Sequence, residues 1–378
     1  MCRPTSALQH PPKKQKRVTE LTINLGHLRH NYALIRQQLR STTKMIAVVK
    51  ANAYGLGSEK IAKTLVELGA DWLAVAYVSE GIALRNAGID TPIMVFYPQF
   101  EHLAQLIDYQ LEPVLYSPSI IQEFSRQLNL KQVHDYPVHL KCNTGLNRIG
   151  LSPQEIISFF SSKNDSPFCV QTVYSHLGAS ENKRPCTFTQ QQIDRFLTVK
   201  TSIEEITSTP PLFHLLNTSG VFNYPELQMD VVRTGIGLYG FANRADWNKN
   251  LTPIAELRTR IVQIHSLEKG DNVGYNLGFI AQRRTRIAVL PIGHADGITR
   301  QYGKGKGHFF LHGHAVPIVG QVCMDMLMID VTDVPCQLHD PVVVFNTTHR
   351  ADALAENAGT IAYELLTGLS PRLSRRYQ

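Results

Sequence analysis

Residues 46–57 read IAVVKANAYGLG. An apolar run ending on Lys50 reads as a buried strand that delivers a lysine at its end. The small residues and two glycines that follow form a turn where backbone can approach a ligand closely. A lysine so placed can be partly desolvated, which lowers its pKa and suits it to Schiff-base chemistry. Alone it would read as a solvated strand-edge residue. Tyr54 in the turn, and the rest of the chain, change that reading.

The strand-then-turn pattern recurs. Apolar runs begin near Met45, Trp72, Pro92, Glu112, Tyr136, Val170, Leu212 and Met229, with helical patterns between most of them. Segment 58–69 carries Ile61, Leu65, Val66 and Leu68 on one face and stops at Gly69. Segments 79–86, 117–128 and 153–160 behave alike. Eight βα units in roughly 200 residues predict an α/β fold, a (β/α)8 TIM barrel. A doubly wound sheet is the alternative that periodicity leaves open.

After Gly240 the segments 256–264, 286–290, 309–311, 316–319, 328–331 and 342–345 are short, β-rich and separated by turn signals. The expected organisation is a disordered basic tail over 1–18, the barrel over 19–245 and a mostly β C-terminal domain over 246–378.

The chain has 378 residues and a formal net charge of +7. Part of that charge is local, in Lys13, Lys14, Lys16 and Arg17 and in Arg372, Arg375 and Arg376. No coherent basic face with interleaved aromatics points to nucleic acid. No apolar run reaches membrane-spanning length, and the first 20 residues lack the apolar core of a signal peptide. The six cysteines show no CxxC and no metal-ligand spacing, so no metal is expected and reduced thiols in a cytoplasm are.

In a barrel of this kind, chemistry sits at the C-terminal strand ends. Those ends carry Lys50 and Tyr54, then Lys141 with Arg148 in the next loop, then Ser175 and His176. Asn217, Thr218 and Ser219 follow the seventh strand, and Arg233 with the glycine loop 234–237 ends the eighth. Hydroxyls and free N–H groups after strands seven and eight suit a phosphate. Together with a strand-end lysine they point to pyridoxal 5'-phosphate. Singly, His176 would read as a core histidine and Arg233 as a rim ion pair.

The motifs VVKANAYG (48–55), TGLNRIG (144–150), YSH (174–176), HLLNTS (214–219) and DVVRTGIGLYG (230–240) are followed by VGY (273–275), PIGHADG (291–297), VCMD (322–325) and IAYELLT (361–367). In this order and spacing the chain resembles alanine racemase, a fold-type III pyridoxal-phosphate enzyme, from about residue 19 to 377. Its texture is similar to the racemase half of ligase–racemase fusion proteins. The resemblance implies a homodimeric isomerase interconverting L-alanine and D-alanine and supplying peptidoglycan, with two bases, Lys50 and the Tyr275 of another copy. It implies that Lys50, Tyr54, His176, Asn217, Thr218, Arg233, Gly235, Ile236 and Tyr363 bind the cofactor. Arg148 and Met324 would hold the substrate carboxylate. Lys141, carbamylated in many relatives, would orient Arg148, His214 would support Arg233, and Asp325 is a further supporting residue.

The chain departs from the usual pattern at Leu56, Thr234, His294, Gln321 and Met326. His294 and Gln321 bear on the entrance, and so on strictness for alanine; a broader or serine racemase is the alternative. A barrel-only cofactor carrier would lack Tyr275, and a decarboxylase would not be expected to carry the segments around Tyr275 and Met324.

Overall fold

The eight apolar runs are eight strands: β1 (Lys44–Val48), β2 (Trp72–Val75), β3 (Ile93–Val95), β4 (Glu112–Leu115), β5 (Tyr136–Lys141), β6 (Phe168–Tyr174), β7 (Leu212–His214) and β8 (Val231–Thr234). The computed structural model describes residues 18–162 and 166–378. All but one residue of the expected basic tail therefore lie outside the described residues. The strands run parallel in the order β7-β6-β5-β4-β3-β2-β1-β8. β8 pairs with β1, with Arg233 opposite Ile46. Backbone bonds from Asp230 N to Phe213 O (3.2 Å) and Arg233 N to Leu216 O (3.0 Å) bring β7 to β8 and nearly close the barrel. Strands buried on both faces must be apolar throughout, which is why β2 and β3 carry no polar residue.

Helices Ser58–Glu67, Val78–Asn86, Pro118–Leu130 and Pro153–Ser161 occupy the segments expected of them. Ser152 caps the last of these, with Glu155 reaching back to its N–H at 2.7 Å. The register of β5 on β6 slips by one residue: Val138 faces Val170, but His139 faces Thr172. Such a bulge re-aims side chains on the bulged strand.

Two compact units are discontinuous in sequence. The barrel unit comprises 22–256, 345–370 and 377–378; the other comprises the described residues up to 21, 257–344 and 371–376. This differs from the contiguous 246–378 domain read from the sequence. Helices Ala351–Asn357 and Ala362–Thr367 belong with the barrel. The reason is physical: the carbonyl of Leu366 would lie 2.1 Å from a Cβ at Gly55, so this segment packs directly on the turn after β1.

The second unit is built on an antiparallel sheet. Its strands include β9 (Ala255–Arg260), β10 (Gln263–Leu267), β11 (Thr285–Leu290), β12 (His308–Leu311), β13 (His314–Val319), β14 (Leu327–Asp330) and β15 (Pro341–Phe345). The order is β10-β11-β14-β13-β12-β15-β9, then Glu20–Ile23 and Ser374–Tyr377. A two-stranded ribbon, Asn272–Val273 with Phe279–Ile280, brackets Tyr275. Val273, Ile287, Val319 and Met328 form an apolar cluster beneath it. Among the described residues no helix is long and apolar enough to cross a membrane, and no His, Cys, Asp and Glu group could hold a metal ion.

Candidate active site

Lys50 opens a turn of unusual hand. Residues 51–54 all have φ between 50° and 54°, and Gly55 follows at 81°. Left-handed backbone costs about 1–2 kcal/mol per non-glycine residue. Local bonds offset this: Ala53 N donates to Val49 O (2.8 Å), Gly55 N to Ala51 O (2.8 Å) and Gly57 N to Asn52 O (2.9 Å). Glu80, from the helix after β2, accepts from Ala51 N at 2.6 Å. The turn points Lys50 into a cavity of about 490 Å³ at the C-terminal ends of the strands.

That cavity gathers Lys50, Tyr54, Lys141, Arg148, His176, Asn217, Thr218, Arg233, Gly235, Ile236 and Tyr363, residues that span more than 300 positions of sequence. Burial and then the Arg148 charge hold the Lys50 amine below the ordinary lysine range, with Glu80 opposing. Its Nζ lies 5.9 Å from the Phe96 ring centre. Lys141 is buried; its pKa is driven well down by burial and then by Arg233. Its Nζ stands 4.8 Å from the Tyr174 ring and donates to Cys142 O at 3.4 Å. An amine so depressed is a better nucleophile near neutrality than a free lysine.

Arg233 is buried with its charge. It donates to His214 Nδ1 at 2.5 Å, Ser175 O at 2.7 Å and Leu215 O at 3.2 Å. Burial lowers its pKa to about 10, so it stays protonated at neutral pH. Burial, and then its field, push His214 and His176 well below the ordinary histidine range, which favours the neutral imidazole at both.

A pocket of hydroxyls and bare backbone lies at the other end. Thr218 Oγ1 accepts from Gly235 N (3.1 Å) and Gly237 N (3.4 Å). Asn217 Oδ1 accepts from Gly220 N (2.8 Å), capping the short helix that begins at Thr218. The Tyr54 ring lies tilted against Tyr239, centres 4.5 Å apart, and 5.9 Å from Tyr363. Nearby, Thr234 Oγ1 is buried without a hydrogen-bond partner. A Cβ at Gly235 would fall 2.3 Å from Tyr54 Oη, and the packed tyrosine has little room to yield. Gly235→Ala is therefore expected to destabilise the barrel by about 1–3 kcal/mol. That is a fall of several degrees in a thermal melt.

Tyr275, Met324 and Asp325 lie in the second unit, around a separate hollow of about 770 Å³. Tyr275 is 69% exposed and Met324 60%. The loop bearing Met324 is well held. His294 N donates to Cys323 O (2.9 Å) and Ala295 N to Met324 O (3.0 Å). Arg372 bonds both carboxylate oxygens of Asp296 (2.6 and 2.8 Å) and reaches Asp325 at 2.8 Å. The C-terminal arginine cluster is thus partly ion-paired rather than an open basic patch. Gln321 accepts from Arg300 at 2.8 Å.

Comparison with known proteins settles the family. Residues 23–243 match the family "Alanine racemase, N-terminal domain" and residues 254–377 match "Alanine racemase, C-terminal domain". The chain belongs to the alanine racemase family. It is 35% identical to the alanine racemase of Halothermothrix orenii over 375 residues, covering 96% of this chain and 98% of that one. It is 34% identical to that of Sorangium cellulosum, covering 96% and 99%. The solved alanine racemase of Clostridium difficile 630 superposes with a TM-score of 0.89 at 29% identity, covering 97% of each chain. That of Bartonella henselae, solved with covalently bound pyridoxal phosphate, superposes at 0.86 and 27% identity, covering 96% of this chain and 100% of that one. An isomerase acting on alanine is what these alanine racemase relatives establish.

Two residues that brace this alanine racemase site from behind, Glu80 and His139, do not stand out in the sequence. Glu80 was missed because its role is to accept backbone N–H groups, which leaves no motif. His139 was legible in principle: it lies two residues before Lys141 on one strand and so faces the same side.

Proposed function

We propose that this alanine racemase works with pyridoxal 5'-phosphate and two opposed bases, Lys50 and Tyr275. The observation that carries the reading is one cavity joining a depressed strand-end amine, a buried permanent cation and a hydroxyl-rich glycine loop. The residues present fit the cofactor: Gly235 leaves bare backbone beside Tyr54 Oη, where a side chain would block a phosphate. Lys50 would bind it covalently. Tyr54, Thr218, Gly235, Ile236 and Tyr363 would hold the phosphate, with Asn217 shaping that loop. Arg233 would face the ring nitrogen, supported by His214. Arg148 would meet the ring oxygen and the substrate carboxylate. When bound, the cofactor supplies an aldehyde that captures the amino group and a ring that acidifies the α-hydrogen.

The protein then moves the proton. Racemisation needs a base on each face of the α-carbon, because the two enantiomers present their hydrogen on opposite sides. Lys50 Nζ would serve the D face. The partner subunit's Tyr275 would serve the L face, with Met324 offering its backbone N–H to the carboxylate from the same partner. A neutral His176 adds no charge near either base. Arg233 keeps its proton, so it would meet the ring nitrogen as a donor and disfavour side reactions. Lys141, as a carbamate, would orient Arg148; a neutral buried amine is the form that takes up carbon dioxide.

A homodimer is supported by the exposed apolar residues of the second unit, where Leu277 is 64% exposed beside Tyr275 and Met326 lies near Met324. The product D-alanine would supply peptidoglycan from the cytoplasm, where the free cysteines stay reduced.

The decisive assay measures racemisation of alanine, serine and lysine with and without added pyridoxal phosphate. Cofactor-dependent racemisation of alanine well above serine and lysine is expected. Comparable rates on serine would favour a broader racemase, and full activity in protein stripped of the cofactor would overturn the reading.

A further inference from the structure

His214 is not the end of the chain of bonds behind Arg233. Its Nε2 lies 2.8 Å from Thr172 Oγ1, which lies 2.8 Å from His139 Nδ1. His139 Nε2 is 2.9 Å from Glu112 Oε2, and the same oxygen accepts from Trp72 Nε1 at 2.9 Å. The series climbs from the first residue of β4 to the far end of β7 and on to β8, across five neighbouring strands. Each of these side chains is buried. The bulge between β5 and β6 makes the series possible, because it sets His139 opposite Thr172 rather than Gln171.

The polarity of the bonds follows from the guanidinium when both imidazoles are neutral. A guanidinium can only donate, so His214 Nδ1 must accept. A neutral His214 then carries its hydrogen on Nε2 and donates to Thr172. Thr172, having accepted, donates to His139 Nδ1. That leaves the His139 hydrogen on Nε2, facing a carboxylate that only accepts. With both imidazoles neutral, this is the one arrangement with no bond left facing like with like.

We propose that Glu112, His139 and Thr172 are positioning residues of the active site, forming a relay that fixes His214 as acceptor and so holds the Arg233 guanidinium in place. Barrel interiors are ordinarily filled by branched apolar side chains. A buried carboxylate and cation at opposite ends are no more stabilising than well-packed apolar residues of the same volume. Stability alone thus gives no reason for the relay, whereas an arginine that must face a ligand atom does. The inference rests on the proposed role of Arg233 at the cofactor ring.

The test uses the holoenzyme labelled with ¹⁵N-histidine, and reads imidazole tautomers by NMR beside cofactor affinity and visible absorption. Wild type should show His214 protonated on Nε2 alone. Thr172→Val is nearly isosteric and cuts the relay. It should mix the His214 tautomers, shift the absorption and weaken pyridoxal phosphate binding at least about tenfold. Glu112→Leu should do the same. Thr172→Ser keeps the hydroxyl and should match wild type. Glu112→Gln keeps an oxygen that can accept both bonds and should stay within about threefold. If Thr172→Val and Glu112→Leu keep tautomer, spectrum and affinity while only the melting temperature falls, the relay is structural and the proposal is overturned. Should either fail to fold, a shifted tautomer in Thr172→Ser, or an unshifted one in the other cut variant, would overturn it equally. Failure of the wild type to bind pyridoxal phosphate would sink the proposed function instead, while the tautomer signals would still decide the relay.

Discussion

Lys50→Ala is expected to abolish both the visible absorption of the purified protein and its racemase activity. The loss should be at least about a thousandfold, since in the proposed mechanism one side chain supplies the covalent anchor and one of the two bases. The fold should survive. The turn over 51–55 is held by backbone bonds to Val49 and Ala51 and by Glu80, none of which involves the lysine side chain. A near-ultraviolet dichroism spectrum like that of wild type would confirm it. Yellow protein that borohydride reduces, recovered from the Lys50→Ala variant, would show that another residue binds the cofactor.

Tyr275→Ala should separate the two directions of reaction. If Tyr275 is the L-face base, as proposed, its loss should slow α-proton exchange from L-alanine about a hundredfold or more. Exchange from D-alanine into solvent, which needs only Lys50, should fall much less. Equal losses in both directions would count against two opposed bases. Tyr275→Phe retains the ring and should behave alike if the hydroxyl is what matters. The same pair of variants tests whether sites are shared. If Tyr275 serves a neighbour's Lys50, a dimer of one Lys50→Ala and one Tyr275→Ala subunit has one intact site and one doubly damaged site. Random mixing at equal amounts makes half the dimers mixed, so about a quarter of wild-type activity should return. No recovery despite demonstrated subunit exchange would mean that each subunit is self-sufficient.

The barrel was legible because strands buried on both faces must be written as continuous apolar runs. The starts of β1, β2 and β4 coincide with the runs to within a residue. The cavity was legible because strand ends are where polar groups interrupt those runs, and Lys50, Lys141, His176, Asn217 and Arg233 meet there. What was not legible depends on contacts distant in sequence. Helix Ala362–Thr367 reads as part of a C-terminal domain until it is seen on the Gly55 turn. The bulge that turns Thr172 toward His139 has no local signature, since Gln171 looks like any solvent-side residue of a strand. The left-handed turn is hidden for the same reason: AlaAsnAla is ordinary helical composition, and only Asn favours that region.

That turn also reverses a familiar rule of sequence variation. Along the helices of this protein, exchanging alanine for glycine loosens the chain by about 1 kcal/mol. At Ala51 and Ala53 the sign inverts, because glycine is more at ease than alanine with φ near 50°. Branched residues such as valine are excluded there outright. Tyr54 shares that backbone, so a larger side chain there needs packing of the kind its ring makes with Tyr239. Stabilising the protein by the usual exchange of glycine for alanine would fail at Gly55 and Gly57, where the left-handed backbone continues. The neighbourhood of the reactive amine is thus preserved by backbone geometry as well as by chemistry.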